Sequence, residues 1–146
     1  MTCSNNEVDR MEQISSPMAN AMLVCDSVIH EAVTNKNSLI GIFENINVTE
    51  FPYVHHSLCV YVKLTQIKGK HHLTLELADL RNNTINAKIE TPKALTIGES
   101  KDTLEFVYTL NKLQFKHAGD YEFRIFVDQN LVSKKGLRVR KQPRRR

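Results

Sequence analysis

Between Gly119 and Val127 the apolar side chains fall on alternate positions. Tyr121, Phe123, Ile125 and Val127 hold one phase, and Asp120, Glu122 and Arg124 hold the other, with Phe126 the single apolar residue among them. A period of two is the pattern of a strand with one buried face, and Asp128-Gln129-Asn130 then supplies turn residues. The same alternation recurs upstream. Leu58, Val60, Val62 and Leu64 alternate with Cys59, Tyr61, Lys63 and Thr65; Leu73, Leu75 and Leu77 alternate with Thr74, Glu76 and Ala78. Ile85, Ala87 and Ile89 follow the Arg81-Asn82-Asn83 turn, and Leu104, Phe106, Tyr108 and Leu110 make a further buried row.

Two segments near the start read differently. Met22–Ile29 is almost continuously apolar, interrupted by Asp26 and Ser27, and Ser38–Val48 is a second apolar run after the polar turn Thr34–Asn37. Together they predict a hairpin apolar on both faces, as in strands covered on both sides or meeting a partner. Asp26 is expected to accept backbone hydrogen bonds from the turn around Lys36 and Asn37. Phe51-Pro52 ends the run, because proline has no N–H for a ladder. Pro92 and Gly98 mark residues 91–102 as a long crossing loop, and 108–118 leaves room for one short helical turn. The last strand covers Leu131–Arg140, with Gly136 as a bulge where the apolar phase shifts.

The pattern predicts an all-β fold of about eight strands with turns at sandwich spacing. Gly119 two residues before Tyr121 at the start of a strand also fits the tyrosine corner of immunoglobulin-type folds. The expected architecture is an immunoglobulin-like antiparallel β-sandwich. Its core should unite Tyr121, Phe123, Ile125, Val127, Phe106, Leu75, Leu77, Val60 and Val62.

A chain of 146 residues is one domain by the usual prior and long enough to bury a core. Residues 1–18 lack periodicity and read as a disordered lead-in, 19–140 as the sandwich, and 141–146 as a basic tail. The net charge of +4 is unevenly spread: residues 134–146 carry eight basic side chains and no acid, leaving 12 basic against 16 acidic residues before them. The basic character therefore belongs to the end of the chain. Cys3, Cys25 and Cys59 are odd in number and share no metal-ligand spacing, which points to free thiols in a reducing compartment. The first residues show no basic segment followed by an apolar core, so no signal peptide is expected, and the expected location is cytoplasmic. No apolar run is long enough to span a bilayer as a helix.

Chemistry-bearing motifs are few. The pairs His55-His56 and His71-His72 each offer one ligand to a given face, without the spacing that pre-forms a zinc site, so solvated loop histidines are expected and no metal or cofactor is assigned. Cys59 lies on the outward phase, but no partner base can be assigned to it. There is no phosphate-binding glycine loop, nucleophile elbow or paired-carboxylate motif. The absence of tryptophan and the low aromatic content disfavour a carbohydrate module.

Leu23-Val24-Cys25-Asp26, Leu39-Ile40-Gly41-Ile42-Phe43, Phe51-Pro52, Val60-Tyr61-Val62, Leu77-Ala78-Asp79-Leu80 and Gly119-Asp120-Tyr121 together resemble a family of small bacterial proteins of unknown function, over about residues 20–140. The resemblance implies a stand-alone, cytoplasmic all-β domain and no particular activity. The Arg-Arg-Arg ending is not part of it.

The expected function is that of a non-enzymatic interaction module acting through protein–protein contact or self-association. Its candidate surface is the outward row Cys59, Tyr61, Val107 and Phe126, more apolar than a solvated sheet face needs. The alternative is weak, salt-sensitive polyanion or nucleic-acid binding through Arg138, Arg140, Lys141, Arg144, Arg145 and Arg146, without base reading because no aromatic is interleaved. An enzyme with an active site outside any motif is the third class.

Overall fold

The computed structural model describes residues 17–91, 95–97 and 103–144. Most of the predicted lead-in, Cys3, the greater part of the 91–102 crossing, and Arg145 and Arg146 lie outside these residues. Eleven strands are present among the described residues: β1 (Met18–Glu31), β2 (Lys36–Ile42), β3 (Asn45–Val48), β4 (Tyr53–Thr65), β5 (Gly69–His71), β6 (Leu73–Asp79), β7 (Thr84–Glu90), β8 (Leu95–Ile97), β9 (Thr103–Phe115), β10 (Gly119–Val127) and β11 (Asn130–Lys141). One sheet runs β2-β1-β4-β9 and a second runs β3-β11-β10-β6-β7, while β5 and β8 form a small ribbon. Pairing is antiparallel except between β3 and β11.

The two large sheets share one core. Met22 and Val24 of β1, Leu58, Val60, Val62 and Leu64 of β4, Leu73, Leu75 and Leu77 of β6, and the β10 row Tyr121, Phe123, Ile125 and Val127 fall in a single buried cluster, with Phe106 packed at its margin. All nine core residues expected from the pattern are therefore there. Period-two patterning dictates this: one face of each strand can be dry only if a second sheet covers it.

Three strands exceed the expected count. β5 and β8 are only three residues each, too short to carry an alternation. The third arises because Ser38–Val48 is two strands, not one. Gly41 has φ +69°, and a Cβ there would run into the Asp26 carboxylate. Asp26 is exposed and lies over Gly41; it is not buried against the Lys36–Asn37 turn. Just beyond, the chain changes sheets. The Phe43 N–H donates to the Val24 carbonyl of one sheet, and the Glu44 carbonyl accepts from the Arg138 N–H of the other. Residues 108–115 continue as β9, leaving no helical turn there.

The β10–β11 hairpin closes through Asp128 and Gln129, both at positive φ, between the paired residues Val127 and Asn130. That is the two-residue turn whose twist suits flanking strands. The register shift falls opposite Ile125/Phe126, not at Gly136, which pairs regularly with Glu122. The Tyr121 hydroxyl donates to the His117 carbonyl at 2.7 Å. Gly119-Asp120-Tyr121 is thus a tyrosine corner where β9 passes to β10.

Candidate interaction surface

Cys59, Tyr61 and Val107 do come together. β4 and β9 pair with Tyr61 opposite Val107 and Cys59 opposite Thr109, and β1 sets Cys25 opposite Cys59. These side chains face away from the main core. Val107 is exposed, but Cys59 and Tyr61 are buried, so they are not the solvent-facing row their phase predicts. The cover is the β1–β2 hairpin. β1 leaves β4 after Cys25, and the far end of the hairpin reaches across to β9. There His30 Nδ1 donates to Asn37 Oδ1 at 2.9 Å, and Asn37 Nδ2 donates to Glu105 Oε2 at 3.0 Å. The Tyr61 hydroxyl donates to the same Glu105 oxygen. Burial and that carboxylate push the Tyr61 phenol up to about 12.

The hydrogen bonds from Tyr61 and Asn37 hold Glu105 below the usual carboxylate range. A depressed carboxylate stabilises the tie fully above its unfolded-state pKa, and the contribution is lost as pH falls through the folded value. Acidification below about pH 4 is therefore expected to loosen residues 26–42 before the core. Hydrogen exchange, normalised for intrinsic rate, should show lost protection in β2 while β10 stays protected. A Glu105→Gln chain without that acid step is the matching control, and equal loosening in both chains would refute the assignment.

The hairpin in turn shows apolar side chains to solvent: Ile29 is 54%, Val33 93%, Ile40 46% and Ile42 55% exposed. Val28, Asn37 and Leu39 are half-buried instead. Phe126 is elsewhere, half-buried on the other sheet between Thr74 of β6 and Leu131 of β11.

Lys134, Arg138, Arg140 and Lys141 of β11 are exposed and Lys135 is half-buried, but several cations of this end are met by acids from neighbouring strands and loops. Lys135 Nζ donates to Glu44 Oε1 at 2.9 Å, Arg138 Nε to Asp120 Oδ1 at 3.2 Å, and Arg144 pairs with Glu50. The Lys135 bond holds Glu44 below its ordinary range. Lys135, Arg138 and Arg140 also line a cleft of about 450 Å³ with Glu44, Asp120 and the backbone of Gly136. Among the described residues Arg140 and Lys141 are the cations of this end that no carboxylate meets, so a polyanion would find less free charge than the sequence advertises. Arg145 and Arg146 lie outside the described residues.

Each histidine pair splits between environments. His55 is half-buried against Tyr53, 2.8 Å from its hydroxyl, and burial pulls its pKa down, while His56 is exposed. His71 Nδ1 meets Asp128 Oδ2 at 2.6 Å and the His72 N–H donates to Asp128 Oδ1 at 2.9 Å, so this carboxylate fastens the β5–β6 corner. No group of three or more His, Cys, Asp or Glu side chains suited to a metal ion occurs among the described residues. A polar cluster that no periodicity in the sequence announces lies beside the tyrosine corner. His117 Nε2 is 2.7 Å from Asp79 Oδ2, and the Arg81 N–H donates to Asp79 Oδ1 at 3.0 Å. The only sequence signal was Asp79 at the end of an apolar strand.

Residues 20–140 match a family described as a family of unknown function, DUF6941. The chain belongs to that family. No curated protein matches the chain. Among solved structures, this DUF6941 domain is similar to the alkylpurine DNA glycosylase AlkC of Pseudomonas fluorescens, solved bound to DNA containing an abasic-site analogue. The likeness has a TM-score of 0.52 at 10% identity and covers 85% of the domain's chain but 30% of the glycosylase, so it speaks for the fold alone. An immunoglobulin-like protein of Pseudomonas aeruginosa is similar at TM-score 0.43 and 14% identity, over 86% of this chain and 97% of that one. A β-glucosidase of Listeria innocua is similar at 0.44 and 14%, over 86% and 16%. No helix of the DUF6941 domain is long and apolar enough to cross a membrane among the described residues.

Proposed function

We propose that the domain is a non-enzymatic interaction module, an immunoglobulin-like sandwich that acts through protein–protein contact with the β1–β2 hairpin as its contact element. The immunoglobulin-like reading is supported by the two-sheet layering and by the tyrosine corner between β9 and β10. One observation carries the functional reading: Ile29, Val33, Ile40 and Ile42 stand exposed on a single ribbon. Apolar side chains gathered on one projecting element mark an interaction site far more often than the same residues scattered singly. β2 is also an edge strand, paired on one side only with β1. Its free edge presents backbone donors and acceptors to an incoming chain.

The proposed occupant is a second copy of the chain. Light scattering across a concentration series should show the mass rising towards a dimer, and the Ile40→Asp/Ile42→Asp chain should stay monomeric with an unchanged unfolding midpoint. A wild-type chain that is monomeric throughout and indistinguishable from the variant would remove the self-association reading.

A further inference from the structure

The antiparallel register of β1 on β4 places Cys25 directly opposite Cys59. Residues facing each other in this way have Cα atoms roughly 4.5–5.5 Å apart with side chains on the same face. That lies inside the ~4.4–6.8 Å window a disulfide spans. Their neighbours Val24 and Val60, also paired, point into the main core. The two thiols therefore share the opposite face, under the hairpin, where Cys25 is fully buried and Cys59 is 6% exposed.

Both are free, and each sulfur makes only a weak contact: Cys25 Sγ to the Ser27 carbonyl at 3.5 Å and Cys59 Sγ with Thr109 Oγ1 at 3.6 Å. Thr109 is on β9, on the far side of β4 from β1, so the Cys59 side chain must rotate away from this weak contact to meet Cys25. Cys25 is also the last residue of β1 paired with β4, so the pair marks the root from which the hairpin departs.

We propose that Cys25 and Cys59 are a modification site, closing into an intrachain cross-strand disulfide on reaction with a small-molecule disulfide of the oxidised-glutathione class. The thiolate of Cys59, the more accessible of the two, attacks one sulfur of the oxidant, and one small thiol leaves with the proton Cys59 gave up. Cys25 then attacks the Cys59 sulfur of the mixed disulfide, and the second small thiol leaves with the proton of Cys25. Two protein thiols are oxidised to one disulfide, and one oxidant disulfide is reduced to two thiols. Burial, with the charges of Cys59 and Asp26 beside it, pushes the Cys25 thiol up. Reaction is accordingly slow while the hairpin is seated and faster when its tie to Glu105 is cut. The site is independent of whether the hairpin also binds a protein.

The test uses the full chain with Cys3→Ser, kept folded in excess oxidised glutathione, then quenched and denatured for thiol counting and intact mass. Both remaining thiols should disappear, with the loss of two hydrogens and no added glutathione, in a monomer that dithiothreitol restores. Adding Asn37→Ala should accelerate closure several-fold. Peptide mapping of the oxidised wild-type chain, expected to give a Cys25–Cys59 link, guards against an effect of the Cys3 substitution. Two thiols that persist in the folded chain, retained glutathione adducts, or links only between chains would overturn the proposal.

Discussion

Truncating Phe123 to alanine is expected to destabilise the domain by about 3–5 kcal/mol, the range for deleting a fully buried aromatic side chain. Phe123 is wholly inaccessible to solvent, at the middle of β10. β10 is central in the second sheet, flanked by Leu77 of β6 on one side and Lys135 of β11 on the other. Its ring points into the cluster that both sheets build, so no single strand can close the resulting cavity without moving a whole sheet. Urea unfolding should show a lowered midpoint with an unchanged slope. A loss under about 1 kcal/mol would mean that the two sheets do not meet over β10. Phe123→Leu, which keeps most of the volume, should lie well below the alanine value.

How far the fold was legible depends on the length of each alternation. β10, β4 and β6 announce themselves because four, four and three apolar residues recur at period two on the face turned to the shared core. β5 and β8 are three residues long and give no periodic signal. The run Ser38–Val48 looked continuous because its composition does not change where its geometry does. The break rests on Gly41 at positive φ and on the passage of Phe43 and Glu44 from one sheet to the other, which is a tertiary event.

The candidate surface was legible only in part, for the same reason. Phase alone put Cys59 and Tyr61 outward, and locally that is correct. Their burial comes from a segment 68 residues away from Glu105 in sequence, through Asn37. The free basic end misled similarly: Glu44, Glu50 and Asp120 answer its charges from other strands and loops. The apolar two-faced character of the first hairpin, by contrast, was visible from the start. One side covers the outer face of the first sheet and the other is left bare, which is why this element and not the Cys59 row carries the proposed contact.

Replacing Tyr121 by phenylalanine is expected to cost about 0.5–1.5 kcal/mol, the net contribution of one part-buried hydrogen bond. The substitution keeps the ring, and with it the edge-on contact with Phe115 at 4.9 Å and the stacking on His117 at 5.8 Å. What it removes is the 2.7 Å bond from the hydroxyl to the His117 carbonyl. That bond fixes the corner from which β10 enters the core, and it sits beside the His117–Asp79 pair. The measured loss therefore reports on the corner and not on packing. Tyr121→Ala should lose considerably more, because it forfeits both rings' contacts and opens a cavity. Unfolding of the two variants against wild type separates the contributions. If phenylalanine proves neutral while alanine is costly, the ring alone anchors β10 and the hydroxyl bond contributes nothing measurable.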